Sequence, residues 1–251
     1  MRRILPWILL SCALAQDPSQ ALEHARTVNL ERAATLPNFV ADEIATRYKS
    51  RHTNPPQWQY VDTIESEISV KGAEFTRQNI RLNGKPWTKN SFPSFNWSVQ
   101  FCSELKPLFS SECNTAIQFE QREERNGRPV LAYRFQTPPG CFGGFVIQFG
   151  LLGLGRTKRY KPAWTGRFLV EDPGGSVVEF ENEAHEFPKG FGADPLQQTF
   201  HWDYVKIGDA THLLPIGAEI FGGFTQADLW HVVVEYKNHR HFESSTNITF
   251  Q

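Results

Sequence analysis

The stretch TAIQFEQREERNGRPVLAYRF, residues 115–135, decides the fold. Thr115, Ile117 and Phe119 alternate with polar neighbours, and Leu131, Tyr133 and Phe135 do so again beyond Asn126-Gly127. A period of two places each set on one face of a strand, and Asn-Gly is favoured in two-residue hairpin turns because both central positions need positive φ. The segment reads as an antiparallel hairpin with one apolar face. The same alternation runs outward from it. Toward the C-terminus it passes through Phe145, Ile147, Phe149 and Leu151, then Trp164, Phe168 and Val170, and turns at Asp172-Pro173-Gly174-Gly175 into Val178 and Phe180. It continues in Phe200, Trp202 and Tyr204, in Leu214, Ile216, Ala218 and Ile220, and in Trp230, Val232, Val234 and Tyr236, with a last strand expected over Asn247 to Phe250. Toward the N-terminus, Val40, Ile44 and Tyr48 share one face, followed by Tyr60, Ile64, Ile68 and Val70, and by Phe75 to Leu82, which ends at Asn83-Gly84. About ten strands with short turns predict a mainly β (α+β) chain built on an antiparallel sheet with one face covered.

Two helices complete the reading. Asp17 is placed to cap a helix with Pro18 at its first position, and Leu22, Ala25, Val28, Ala33 and Leu36 recur at helical spacing until Pro37. Ser98 to Lys106 forms the second, with Val99, Cys102 and Leu105 on one side and Pro107 as its limit.

Composition agrees with a packed globular protein. Of 251 residues, 40% are hydrophobic and 21% charged, while 18 Gly and 16 Pro are too few for a collagenous or low-complexity chain. With 20 Phe, 7 Trp, 6 Tyr and one Met, the apolar content suits pleated surfaces better than helix seams. Twenty-six basic and 27 acidic residues leave a net charge of -1, which gives no field for nucleic acid or an anionic membrane. Arg2 and Arg3, the apolar run Ile4 to Leu10, and Ala13-Leu14-Ala15 form a secretory signal over residues 1–15, leaving one domain, 16–251, in the periplasm or outside the cell. The rival reading takes Leu9-Leu10-Ser11-Cys12 as a lipoprotein site with Cys12 as the lipidated first residue.

The order of elements, together with Leu36-Pro37-Asn38-Phe39, Thr46-Arg47-Tyr48, Phe101 to Phe109, Gly127-Arg128, Tyr133-Arg134-Phe135, Asp203-Tyr204-Val205, Leu213-Leu214-Pro215 and Val234 to Phe250, resembles the LolA/RseB-like outer-membrane lipoprotein-sorting superfamily. It resembles more closely an exported family common in Acidobacteria. The resemblance covers nearly the whole chain after residue 15, through short structural motifs. It implies a strongly curved antiparallel sheet, an incomplete barrel, with helices packed on its concave side, where some members hold acyl chains. The sequence departs from the nearer family at Asp42, where a Cys is often found, and at Asn238-His239-Arg240-His241, where Tyr and Lys are usual.

Candidate chemistry is sparse. Cys102, Cys113 and Cys141 have no C-x-x-C spacing, so a zinc ribbon is excluded. A Cys102 to Cys113 disulfide requires the chain to fold back at Pro107, and Cys141 is left as a buried thiol. His239, His241 and Glu243 share one parity with His231 and offer imidazole and carboxylate ligands, but Glu235 and Lys237 fall on the same side and the alternation describes a solvated strand face, so no metal is expected. Glu179, Glu181 and Glu183 read likewise as a wet strand face, since acid-base work needs surroundings that separate their pKa values. Gly150 to Gly155 lacks the context of a phosphate or dinucleotide loop, and no Gly-x-Ser-x-Gly elbow occurs. Asn96-Trp97-Ser98 and Asn247-Ile248-Thr249 are formal glycosylation acceptors.

The leading expectation is a non-enzymatic exported protein, without cofactor, that binds a lipid or acyl chain in the curve of its sheet. Phe200, Trp202 and Tyr204 on one strand and Leu214, Ile216 and Ile220 on its neighbour would line the site, although ordinary core packing explains the same aromatics. The alternative is an interaction or sensing module that engages an envelope protein, and a hydrolase comes third. Shape separates the three. An apolar cavity marks the first, an exposed apolar patch the second, and a polar cleft with perturbed titrating groups the third.

Overall fold

A computed structural model describes residues 17–51, 55–72, 74–89, 105–141, 145–148, 157–188, 193–224 and 228–242. Among these, the elements in chain order are α1 (Pro18–Ala34), β1 (Phe39–Ser50), β2 (Gln59–Lys71), β3 (Glu74–Leu82), β4 (Lys85–Pro86), α2 (Leu105–Phe109), a 3-10 turn (Ser111–Cys113), β5 (Ala116–Arg125), β6 (Arg128–Thr137), β7 (Phe145–Gln148), β8 (Thr157–Tyr160), β9 (Ala163–Glu171), β10 (Val177–His185), β11 (Ala193–Ile207), β12 (Ala210–Phe224) and β13 (Leu229–His241). Eleven strands form one antiparallel sheet in the order β4-β3-β2-β1-β13-β12-β11-β10-β9-β6-β5. Its two ends do not meet, so the architecture is an open, incomplete barrel, as the resemblance implies, with the two helices that the sequence pattern predicts. The β7–β8 hairpin is a separate small sheet, not a continuation of the main one. Phe149 and Leu151, expected in its first strand, lie outside the described residues, as do 1–16, Cys102, Glu243 and the strand expected over 247–250.

The register aligns one row of side chains across the covered face. From β5 to β3 it reads Phe119, Tyr133, Phe168, Phe180, Phe200, Ala218, Val234, Ala45, Ile64 and Leu82, each opposite the next. Paired residues of antiparallel strands share a face, so the row is continuous. Ring centroids lie 5.3 Å apart for Tyr133 and Phe168 and 6.5 Å for Phe180 and Phe200, with Phe135 and Phe180 stacked at 5.1 Å. Asn126 and Gly127 both have positive φ, as the hairpin turn between β5 and β6 requires.

α1 begins at its expected cap, where Asp17 accepts from the backbone N–H groups of Ser19 and Gln20. It lies on the aromatic part of the row through Ala21, Ala25 and Asn29. Asn29 joins helix to sheet, donating to Gly175 O at 2.8 Å and accepting from Val177 N at 3.0 Å. Tyr133 Oη donates to Pro18 O at 2.7 Å. The approach is close at Gly175, whose φ is +75°, because a Cβ there would stand 2.7 Å from the His24 ring. α2 continues through Pro107 to Phe109, whose ring packs edge-on against Phe168. The proline does not limit the helix, which runs on to Phe109.

Bulges revise the alternation in β2 and β13. In β1 the buried inner face carries Ala41, Glu43, Ala45 and Arg47, while Ile44 and Tyr48 are half-buried on the other face. Between β1 and β2, Arg47 pairs with Asp62 and Tyr48 with Tyr60, so Val61 is an extra residue. It turns the exposed Tyr60 away from the buried Ile64, Ile68 and Val70. Near the end of β13, Val40 pairs with Arg240 but Asp42 with Lys237, and Asn238 has a φ of 53°. The parity flips there, separating His239 and His241 from His231. Val232, Val234 and Tyr236 are buried as the pattern predicts, with Trp230 half-buried at the strand's start.

Candidate functional site

The six residues expected to line a ligand are brought together on β11 and β12 but divide into two groups. Phe200, Trp202, Leu214 and Ile220 are buried in the core. Tyr204 and Ile216 stand at the rim, 48% and 38% exposed. The cause at Ile216 is a bulge, since His201 pairs with Gly217 and Trp202 with Pro215, leaving Ile216 as the additional residue. Tyr204 is fastened at the rim by donating to Glu171 Oε2 at 2.6 Å, with the Arg128 guanidinium 5.6 Å from its ring centroid. Burial, then that bond to Glu171, raises the Tyr204 phenol above its ordinary range.

α1 covers Trp202 and the Phe200 side of the row with little apolar substance. Its buried positions are two alanines and one asparagine, with Leu22, Leu30 and Ala33 packed at the margins. Arg32, one turn beyond Asn29, lays its guanidinium over Trp202, 5.9 Å from the ring centroid, and donates from Nη1 to Val177 O at 3.3 Å.

The inner face of β1, β2 and β3 holds charge instead of rings, and the sequence pattern does not disclose it. Glu43 accepts from Arg77 Nε and Nη2 at 2.6 and 2.9 Å, from Ser66 Oγ at 2.7 Å and from Tyr236 Oη at 3.3 Å. Burial, reinforced by the Glu43 charge, drives the Tyr236 hydroxyl well above its ordinary pKa. Arg47 reaches Asp62 with Nε and Nη2, both at 2.6 Å. The signal for these pairs is the Glu and Arg at i and i+4 of a strand beside small residues, legible only once the partner strand is known.

On the opposite, helix-free face, β5, β6, β9, β10 and β11 form a polar groove of about 650 Å³ lined by residues such as Gln118, Arg134, Arg167, Glu181 and Thr199. Here the glutamates expected to form a wet face are partly ordered into an ion-pair ladder. Glu120 receives Arg167 and Arg134, and Glu123 receives Arg167, which hold both carboxyls below the ordinary range. Glu179 is buried, with Arg125 Nη2 at 2.6 Å and His201 Nδ1 at 3.2 Å. Burial pulls its pKa up, but His201 and Arg125 outweigh that and leave it low. Glu181 moves the other way, raised by burial and by Glu179. The groove meets the shape expected of a polar cleft, but its perturbations follow from cross-strand pairing with arginines.

The histidines do not converge. His231 lies outward beside Tyr48 and Trp58, with Glu219 Oε2 3.2 Å away. His239 faces Phe39 and donates to Pro215 O at 3.0 Å, and burial lowers its pKa. Among the described residues no group of three His, Cys, Asp or Glu side chains is arranged to hold a metal. Cys113 is buried, and Cys141 is half-buried with its Sγ 3.4 Å from Cys113 O; among the described residues neither forms a disulfide. Burial, then the contact with Cys141, raises the Cys113 thiol to about 11.

No family model matches the chain, and no curated protein does. Among solved structures, the chain is similar to a LolA superfamily protein from Nitrosomonas europaea, at 11% identity and a TM-score of 0.34 over 94% of this chain and 99% of that one. It is also similar to a DUF1329 family protein from Desulfovibrio piger, at 8% identity and a TM-score of 0.41 over 93% and 96%. No helix among the described residues is long and apolar enough to cross a membrane.

Proposed function

We propose that the protein is an exported binding protein rather than a catalyst, and that it takes an apolar chain, such as a lipid acyl chain, against the face of β11 and β12 that α1 covers. The observation that carries this reading is the mismatch between cover and surface. Rings of large apolar area, Phe200 and Trp202, lie under a helix whose buried positions are Ala21, Ala25 and Asn29. Burying a methyl group contributes about 0.8 kcal/mol, whereas an acyl chain contributes that for every methylene it lays down. A chain can therefore replace the helix over Phe200, Trp202 and Ile220, entering past the exposed Tyr204 and Ile216.

The test is titration of the full chain with a fluorescent fatty acid. Saturable binding is expected, weakened about tenfold by Ile216→Glu, a rim change that leaves the fold intact. Failure of the folded wild type to bind any of a panel of fatty acids and acylated peptides sinks the reading.

A second reading, an interaction module, is favoured by one patch on the helix-free face. Trp58 and Tyr60, 36% and 58% exposed, pack with Tyr48, Phe221 and His231. Exposed aromatic clusters of this kind are enriched where proteins meet.

A further inference from the structure

Buried arginines in this protein place the paired donors Nε and Nη2 on a carboxylate. Arg47 does so with Asp62 and Arg77 with Glu43, in each case through both nitrogens. Arg32 departs from the pattern. Its Nη1 is satisfied by Val177 O, but Nε and Nη2 are buried and have no hydrogen-bond acceptor among the described residues. The Trp202 ring beneath the guanidinium is 3% exposed, and its Nε1 is likewise buried without an acceptor. Three donors and one full positive charge thus lie in the seam between α1 and β11, where each bond left unmade is destabilising.

We propose that this seam is an oxyanion site, in which the Nε and Nη2 of Arg32 receive the two oxygens of a carboxylate or phosphate head group and the Trp202 indole N–H donates to one of them. Charge and geometry select the class. A guanidinium fork fits a planar pair of oxygens, and three open donors beside a single carbonyl that Nη1 already engages favour an occupant that only accepts. Phe200 and Trp202 continue apolar from the seam, so the occupant is an anion attached to an apolar chain. The site rests on the apolar-chain reading above for its tail and on Arg32 and Trp202 for its head.

The experiment follows thermal unfolding of the full chain with octanoate, octyl phosphate, octanol and acetate at equal ionic strength. Octanoate or octyl phosphate should protect more than octanol, and the better of the two names the head group. Arg32→Gln, which can still reach Val177 O, should weaken the protecting anion 10- to 100-fold while leaving octanol unchanged. Trp202→Phe, which keeps the ring and removes only the N–H, should weaken it by a few fold. Equal protection by octanol and octanoate, or an anion effect that survives Arg32→Gln, overturns the oxyanion site while leaving the apolar-chain reading standing. Acetate that protects as well as octanoate, with the effect lost in Arg32→Gln, supports the head site and overturns the chain. No protection by any of the four overturns both.

Discussion

The two halves of the sheet bury their inner faces by different chemistry. From β6 to β11 the central row is rings, with Tyr133, Phe168, Phe180 and Phe200 in register. From β13 to β2 it runs through Val234, Ala45 and Ile64, and the flanking inner positions of β1 are Glu43 and Arg47, closed by Arg77 of β3 and Asp62 of β2. Both halves are equally buried. Position in the row, and not residue type, therefore decides what is inside, and a charge is tolerated there only while its partner is present.

The largest test of this comparison is Glu43→Ala, which strands the buried Arg77 and should cost about 4 kcal/mol in chemical denaturation. Changing both, Glu43→Met with Arg77→Met, should recover most of that loss. A single variant within 1 kcal/mol of wild type, on the order of a surface pair, would erase the distinction between the halves. Phe180→Ala in the ring half should cost about 3 kcal/mol, less than a full ring cavity because Phe135 and Phe200 can lean into the space. Asn29→Ala, which removes the bonds from α1 to Gly175 O and Val177 N, should cost about 2 kcal/mol and increase affinity for an apolar chain if α1 is the cover. The smallest effect is electrostatic and has two signs. The Glu179 carboxyl is held low, so its stabilisation is present above the unfolded value of 4.5 and is lost as pH falls through the folded one. The Glu181 carboxyl is raised, so its charged form is penalised near neutrality and the penalty vanishes in acid. Glu181→Gln should accordingly raise the melting temperature by about 1 °C at pH 7 and by nothing at pH 3.

The ring half is the half that could be read from the sequence. Leu131, Tyr133 and Phe135, Phe168 and Val170, and Phe180 all face inward as their alternation predicts, because nothing but apolar residues occupies those positions. The charged half was illegible for two reasons. Glu43 and Arg47 look like solvent residues until Arg77 and Asp62 arrive from other strands, and bulges at Val61, Ile216 and Asn238 each flip the parity on which alternation depends. At the candidate site, four of six residues are buried in the core and two stand at the rim, and the bulge that exposes Ile216 is announced by no local pattern. Arg32 carries no signal in the sequence because a lone arginine on a helix is ordinary, and only its place over Trp202 gives it meaning.

An open sheet has two ends, and each end is a template to which another chain can add a strand. Here the outermost strands are poor templates. β4 is two residues long and one of them is Pro86, which has no N–H to offer. β5, at the other end, carries Glu120, Arg122, Glu123, Glu124 and Arg125, charges that an added strand would have to desolvate along the whole edge. The same barrel that stays open thereby resists growing into fibres at high concentration, and a variant that replaced the charges of β5 with Val or Thr would be the first place to look for aggregation.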